Sequence, residues 1–435
     1  MSISQAALLC NLLFLFLVIF NFRKSNHIIN LLPSCGWAMV MVIPFILQWD
    51  YFFQPTRETH ATGILIVAIA LLVADSLALL KCKKTEASIQ LNRKKFLIYT
   101  LPVITITAII CHLWLSNKIP LLEFIFGQRD YNTLLDMRNI FSRDTTLHFT
   151  LKYLFNWITP ILAVLSIAFL FFQKRYFLAS ILLTLSVFYA LAALAKAPLL
   201  ILFSSLMVIV LGLYHRQTRL PLLASIIIAP VFISSTIVFH TNNKFRTEKS
   251  NLPLNMTTPG DHLRLDKGKR VNVSTADSII RIYTNIVIYR LLLVPSEVGQ
   301  RWYDYAKFHN PFGYSDIIPG GRPEGFIHPA RKVATWAYYS RFPELYSKDS
   351  HAYTAIDADA YARAGYIAVI LTAFILFLLR LLPAYLVTND PFSRMIYYNH
   401  VALLTLLPAH ASIQAILIAN GLFLLPLMLA FVRRW

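Results

Sequence analysis

Long apolar runs alternate with short polar breaks along nearly the whole chain, at a spacing that suits a lipid bilayer. Runs near 4–22, 28–49, 63–80, 96–116, 151–172, 177–195, 198–214, 221–240, 365–385, 396–412 and 415–432 each approach the ~20 residues that a spanning helix needs. The pattern predicts an all-α polytopic membrane protein of about eleven transmembrane helices. Pro408, His410 and Asn420 interrupt the last two runs. The one long gap between runs divides the chain into a bundle over 1–240, a large loop over 241–364 between spans 8 and 9, and C-terminal spans over 365–435.

The short breaks carry the orientation. The segment 81–95 has six Lys/Arg against one acid, and RKSNH (23–27), QKRY (173–176) and HRQTR (215–219) are purely basic. All of them fall on one side if the N-terminus is outside, together with Arg433 and Arg434 at the far end. Short basic loops mark the cytoplasm, so the expected topology has the N-terminus out and the C-terminus in. The loop 117–150, with four Lys/Arg and four acids, then falls outside, as does 241–364.

Composition agrees with this picture and changes the meaning of the charge. The 435 residues are 57% hydrophobic and 14% charged, and the mean hydropathy is +0.58, whereas soluble chains are about 25% charged. A net charge of +19 would suggest nucleic acid in a soluble protein. Here it fits cytoplasmic loops and sites for anionic lipid or phosphate, with no nucleic-acid partner. Neither an A-x-A-like cleavage site nor a hydrophilic domain follows the first run, so that run is expected to stay as a helix. Cys10, Cys35 and Cys111 lie in apolar runs and Cys82 in a basic loop, which predicts inert thiols and no metal site.

The candidate chemistry collects on the outer side. Arg129, Asp130, Tyr131, Asp136 and Arg138 fall within ten residues, and Lys196 sits in the tight ALAKAP junction. The segment 277–295 has helical character and contributes Arg281 and Arg290. The following stretch mixes Trp302, Tyr303, Tyr305, Phe308, Phe312, Tyr314, Trp336, Tyr338 and Tyr339 with Asp304, His309, Arg322, His328 and Arg331. Aromatic faces beside carboxylates and amides hold sugar rings, although the same residues also build an interfacial belt or a small loop core. Arginine forks match phosphate oxygens, so Arg129, Arg138, Arg281, Arg290, Arg322, Arg331 and Arg363, with Lys196, suggest a clamp for a lipid-linked pyrophosphate. Lys196 can equally snorkel to lipid phosphate.

A last cluster stands where the loop enters the ninth span. Lys348, Asp349, His351, Asp357, Asp359 and Arg363 fall in the stretch 347–366. His351, Asp357 and Asp359 are candidate catalytic bases. If 355–366 is helical, Asp359 and Arg363 are four apart and pair, while Asp357 points elsewhere. A solvated helix start, with both aspartates favouring the helix dipole, would look the same.

Three segments together resemble the O-antigen polymerase (Wzy) type of oligosaccharide repeat-unit polymerases. They are GQRDYNTLLDMRNIF (127–141), Lys196-Ala197-Pro198, and Asp359-Ala-Tyr-Ala-Arg-Ala-Gly-Tyr366. Where that family often has Phe-Gly, this chain has Arg363-Ala364-Gly365 and adds Asp357 and Asp359. The resemblance implies a C-type (GT-C-like) integral glycosyltransferase of the bacterial inner membrane, with its large loop and active site facing the periplasm. It implies undecaprenyl-diphosphate-linked oligosaccharide as substrate, no metal or other cofactor, and a Wzz-type chain-length regulator as partner. An O-antigen ligase-like transferase shares this layout. A transporter or flippase for lipid-linked glycans is the reading from another class. It would show internal repeats and mid-membrane ionisable groups, and here His400, His410, Gln414 and Asn420 are the clearest intramembrane polar set.

Overall fold

The computed structural model describes residues 2–22, 28–52, 54–82, 90–116, 118–126, 149–193, 196–213, 294–314, 327–340 and 352–433, with Thr133, Met137 and Phe141 between them. All regular structure of more than one residue among them is helical. Six helices are long and apolar enough to cross a membrane. These are α1 (Ile3–Phe22), α2 (Ile29–Leu47), α3 (Gln54–Cys82), α4 (Leu91–Leu115), α6 (149–172) and α11 (Ile356–Leu386). Between α4 and α6 lies the short α5 (Pro120–Phe126). Helix α6 runs from Phe149–Trp157 through a widened π-turn at Ile158–Ala163 into Val164–Phe172. Two apolar helices, α7 (Tyr176–Ala192) and α8 (Lys196–Leu213), are shorter. The remainder are α9 (Val294–Phe308), α10 (Pro329–Ala334), α12 (Pro391–Leu406) and α13 (Leu424–Val432).

Ten of the eleven expected runs therefore overlap helices, with 407–412 forming a turn instead, and 221–240 lies outside the described residues. The bounds shift for physical reasons. Helix α3 starts nine residues before the expected 63, because Pro55 suits a first helical turn and Thr56, His60 and Gly63 then share one face. Helix α11 starts at Ile356 rather than 365, with a joint at Ala364–Gly365 where Gly365 takes φ 67°. Only glycine adopts that conformation without strain. The last run is broken: a π-turn at Ala415–Ala419 ends at Asn420, and Gly421, at φ 68°, restarts the chain toward α13.

The centre of the bundle is the parallel pair α3 and α11, the most extensively packed pair of helices. Gly36 lets α2 approach α12 so closely that a Cβ there would lie 2.6 Å from Thr405 Cγ2. The π-turn in α6 leaves the carbonyl of Pro160 without its usual partner, and Asn399 Nδ2 of α12 takes it at 3.1 Å. A backbone group freed inside a membrane must find such a partner. Leu13, Phe14, Phe16, Leu17 and Phe20 of α1 face outward, as do Ile367, Ile370, Leu371 and Phe374 of α11, which gives the bundle an apolar exterior suited to lipid.

Two levels of the α3–α11 seam hold ionisable groups. Deep in both helices, Arg380 Nε donates to Asp75 Oδ1 at 2.5 Å, and both side chains are fully buried. Ser34 donates to the other carboxylate oxygen from its amide (2.9 Å) and its hydroxyl (2.5 Å). The remaining guanidinium nitrogens reach Tyr397 OH (2.9 Å) and the Asn30 carbonyl (3.0 Å), so α2, α3, α11 and α12 are tied together. This corrects the expectation that His400, His410, Gln414 and Asn420 are the clearest intramembrane polar set, since Asp75 and Arg380 form a charged pair within the spans.

One end of the bundle is basic. Lys81 lies over the Tyr385 ring, Arg93 Nη1 donates to the Phe431 carbonyl at 2.9 Å, and Lys94 pairs with Asp390 at 2.8 Å. The ends of α3, α11 and α13 and the starts of α4 and α12 thus meet on one side. Arg175, just before α7, lies over Tyr99 of α4. The shared end of these helices is the one that the loop charges imply for them.

Candidate functional site

At the opposite end, α9 of the large loop lies across the starts of α3 and α11. Its anchor begins with Ser296, whose hydroxyl donates to Gln48 Oε1 at 2.9 Å. Trp302 is buried and donates from Nε1 to the Ala352 carbonyl at 2.8 Å. Around it Val298, Tyr303, Val333, Ala337 and Tyr338 make a small core of the loop's own. Three of the aromatics proposed for sugar rings, Trp302, Tyr303 and Tyr338, are therefore structural. They are buried because α9 and α10 need an apolar seam between them. Tyr305, Phe312, Tyr314 and Trp336 remain at or near the surface.

Beneath α9 lies a chain of buried polar groups. Gln300 Nε2 donates to Thr56 Oγ1 (2.7 Å) and to Asp304 Oδ1 (2.8 Å), and the Thr56 hydroxyl donates to that same Asp304 oxygen. Arg301 approaches the other Asp304 oxygen at 3.5 Å. Both amide hydrogens of Gln300 are thereby committed, so its Oε1 accepts from His60 Nδ1 at 3.1 Å. The hydrogen on Nδ1 leaves the Nε2 lone pair of a neutral His60 aimed at Asp357 Oδ2, 3.6 Å away. Tyr303 OH donates to the same carboxyl oxygen at 3.3 Å.

Two acceptors facing each other in a dry interior repel, so one additional proton belongs to the His60–Asp357 pair. Among the described residues, His60 Nε2, Asp357 Oδ1 and the neighbouring Thr354 Oγ1 make no hydrogen bond of good geometry. The backbone amides of Asp357 and Ala358 face the carboxyl. Burial, and then the Asp357 carboxyl, push the Tyr303 phenol well above its ordinary range, so Tyr303 serves as a donor. The rings stack in sequence, with His60 on Tyr303 (4.5 Å) and Tyr303 on Tyr361 (4.4 Å). Gly63 and Gly299 make this possible: a Cβ at Gly63 would lie 1.9 Å from Tyr303 Oη, and one at Gly299 would lie 2.9 Å from His60 Nε2.

Asp357 is thus enclosed rather than lying on an open floor. Asp359 and Arg363 are paired as the four-residue spacing implies, Arg363 Nε donating to Asp359 Oδ2 at 2.9 Å. Arg363 Nη1 also donates to the Gly313 carbonyl at 2.9 Å, and the guanidinium is 4% exposed. It holds the 312–313 strap onto α11 instead of being presented to a ligand. Arg331 is half-buried on α10, and Lys196 opens α8. His351, Arg129, Arg138, Arg281, Arg290 and Arg322 lie outside the described residues.

Within the last helices, His400 Nε2 donates to the Leu379 carbonyl (2.8 Å) and Asn420 Nδ2 to the Ala415 carbonyl (2.9 Å). The buried Gln414 amide has no hydrogen-bond partner among the described residues. His410 sits in the turn after α12, whose Pro408 carbonyl accepts from the Ile356 amide at 2.8 Å and seats the start of α11. Sequence reasoning missed His60, Thr56 and Gln300. The signal that could have found the first two is the Thr56–His60–Gly63 spacing behind Pro55, a polar face on the opening turns of a span. The chain matches no family model, no curated protein and no solved structure.

Proposed function

We propose that this protein is an integral-membrane glycosyltransferase that polymerises undecaprenyl-diphosphate-linked oligosaccharide units. In this reading the chain has eleven spans in a GT-C-like layout, in a bacterial inner membrane. The N-terminus is periplasmic, the basic end faces the cytoplasm, and a Wzz-type regulator sets chain length. The observation that carries the reading is the His60–Asp357 pair: a carboxyl and an imidazole buried 3.6 Å apart at the non-basic end of the bundle, under a loop of aromatic and cationic residues.

The chemistry needs two things. The glycosidic C1–O bond to the lipid pyrophosphate breaks, and the electron pair leaves on the pyrophosphate. Cations must therefore meet that charge as it develops. Arg129, Arg138, Lys196, Arg281 and Arg290 are the residues assigned to it, from the resemblance and from their chemistry. A new C1–O bond forms to the acceptor sugar hydroxyl, whose proton passes to Asp357 with His60 behind it. Because Asp357 is enclosed, the acceptor reaches it only when α9 lifts from α3. The joint at Ala364–Gly365 separates the outer segment carrying Asp357 from the membrane-length remainder of α11.

The saturated Asp75–Arg380 network does not favour transport, because every charged atom in it already has a fixed partner. Deleting the gene in its own host should leave surface glycan one repeat unit long, and complementation with Asp357→Asn or Arg281→Ala should not restore the ladder. A normal ladder after deletion would remove the polymerase reading. Full-length polymer accumulating on the lipid carrier would point to a ligase instead.

A further inference from the structure

The surface beside α9 contains a cleft of about 290 Å³ that the catalytic reading does not use. Tyr305, His309, Asn310, Phe312, Pro329 and Lys332 line it. The volume is near the lower end of small-ligand clefts, roughly 300–1,000 Å³. Its wall is built of flat faces. His309 stacks on Tyr305 at 3.9 Å and 5°, and Phe312 lies parallel to Tyr305 at 5.2 Å and 13°. Trp336 meets both Tyr305 and His309 edge-on at 5.5 and 5.7 Å, which fixes the stack from behind. The strap that carries Phe312 is held by its amide to the Ala362 carbonyl at 3.1 Å, so the cleft is built on the outer segment of α11.

The polar atoms are of a particular kind. His309 Nδ1 lies 3.0 Å from the Tyr305 carbonyl, and a carbonyl only accepts, so Nδ1 carries the hydrogen and Nε2 keeps a lone pair. Asn310 adds an amide with both donor and acceptor capacity. Lys332 holds its ammonium 5.9 Å from the Phe312 ring centre, at the rim of the apolar wall. Among the described residues, none that lines the cleft is acidic. Neutral sugar sites commonly hold hydroxyls with carboxylates, which accept two hydrogens at once. A cleft whose described lining combines an aromatic wall, an amide, an imidazole and a lysine suits a ring that brings the negative charge itself.

We propose that this cleft binds a carboxylated pyranose, a hexuronic acid or a sugar of the same charge, with the ring packed against the side of the Tyr305–His309–Phe312 stack and the carboxylate on Lys332. The assignment rests on the outer end handling glycan, and it narrows the repeat unit to one that contains an acidic sugar.

The test uses the full chain purified in detergent, with methyl glucuronide and methyl galacturonide as probes and methyl glucoside as the neutral control, read by saturation-transfer NMR. Transfer from the protein to the ring protons of at least one uronide, stronger than to the glucoside, is the expected result. Lys332→Gln, a surface change, should weaken uronide binding roughly tenfold, the size of one charge-assisted hydrogen bond, and bring it level with the glucoside. Tyr305→Ala should abolish transfer to both classes, with the melting temperature checked beside it. No transfer to any probe, equal binding of uronides and glucoside, or uronide binding indifferent to Lys332→Gln would each overturn the proposal. Binding is read without polymer synthesis. A host lacking any polymerisation defect would therefore remove the polymerase reading and leave this site standing, and the reverse outcome would do the opposite.

Discussion

The two ionisable levels of the α3–α11 seam use similar chemistry and end in opposite states. At Asp75–Arg380, the guanidinium, both carboxylate oxygens and the adjoining Tyr397 and Asn30 groups all have partners. At His60–Asp357, Nε2 and Oδ1 have no well-formed bond among the described residues, and two acceptors confront each other across 3.6 Å. Burial is complete in both places, so burial alone does not separate a structural group from a reactive one. What separates them is whether the hydrogen-bonding capacity is used up. A saturated network locks four helices, whereas an incomplete one keeps the capacity to take or give a proton.

The largest effect should come from breaking the saturated level. Asp75→Leu leaves Arg380 charged and alone in the bundle, and should cost about 3–5 kcal/mol, read as a lowered melting temperature in detergent and reduced membrane abundance. Adding Arg380→Met should return most of that loss. If the single change were harmless, the four-helix tie would not be a stabilising element.

Overfilling the second level comes next. Gly63→Ala drives a methyl into Tyr303 Oη, and displacement of a packed ring in a full core costs about 1–3 kcal/mol. Proteolysis of the large loop at native temperature should speed up in this variant, because Tyr303 belongs to α9 and its displacement loosens that helix. Tyr303→Phe is milder. It removes one hydrogen bond to Asp357 and should cost about 1 kcal/mol in thermal unfolding.

The smallest stability effect should be the most telling. Asp357→Asn replaces the carboxyl with an amide whose N–H can point at His60 Nε2 and supply the hydrogen that the pair needs. The amide nitrogen cannot accept from Tyr303, so the bond gained to His60 offsets the one lost, and melting should change by less than about 1 kcal/mol while the proposed transfer stops. A large loss of stability in this variant would show that the carboxylate serves structure, as at Asp75, and the contrast between the two levels would collapse.

Parts of this arrangement were legible from the chain and parts were not. The apolar runs within the described residues overlap helices, six of them long and apolar enough to cross a membrane, because a membrane-length element has to be apolar over its whole length, and that survives averaging over a window. Of the basic residues, Lys81, Arg93, Lys94 and Arg433 gather at one end as the loop charges imply, while 23–27 and 215–219 lie outside the described residues. The Asp359–Arg363 pair was legible because it is local, one turn of helix apart. The start of α3 was misplaced because Thr56, Arg57, Glu58 and His60 lower the hydropathy of its opening turns, although α9 covers that face.

Asp75 and Arg380 were passed over singly, each a lone charge in an apolar run, because nothing along the chain ties together residues 305 positions apart. The same holds for His60, Gln300 and Asp357, which lie on three different helices. The sequence alone determined that this is a helical membrane protein with a large loop rich in aromatic and cationic groups, since those properties depend on composition and local periodicity. Only the tertiary structure decided which polar groups are satisfied and which are not. Satisfaction is a property of pairs, and the pairs form only when distant helices come within hydrogen-bond reach.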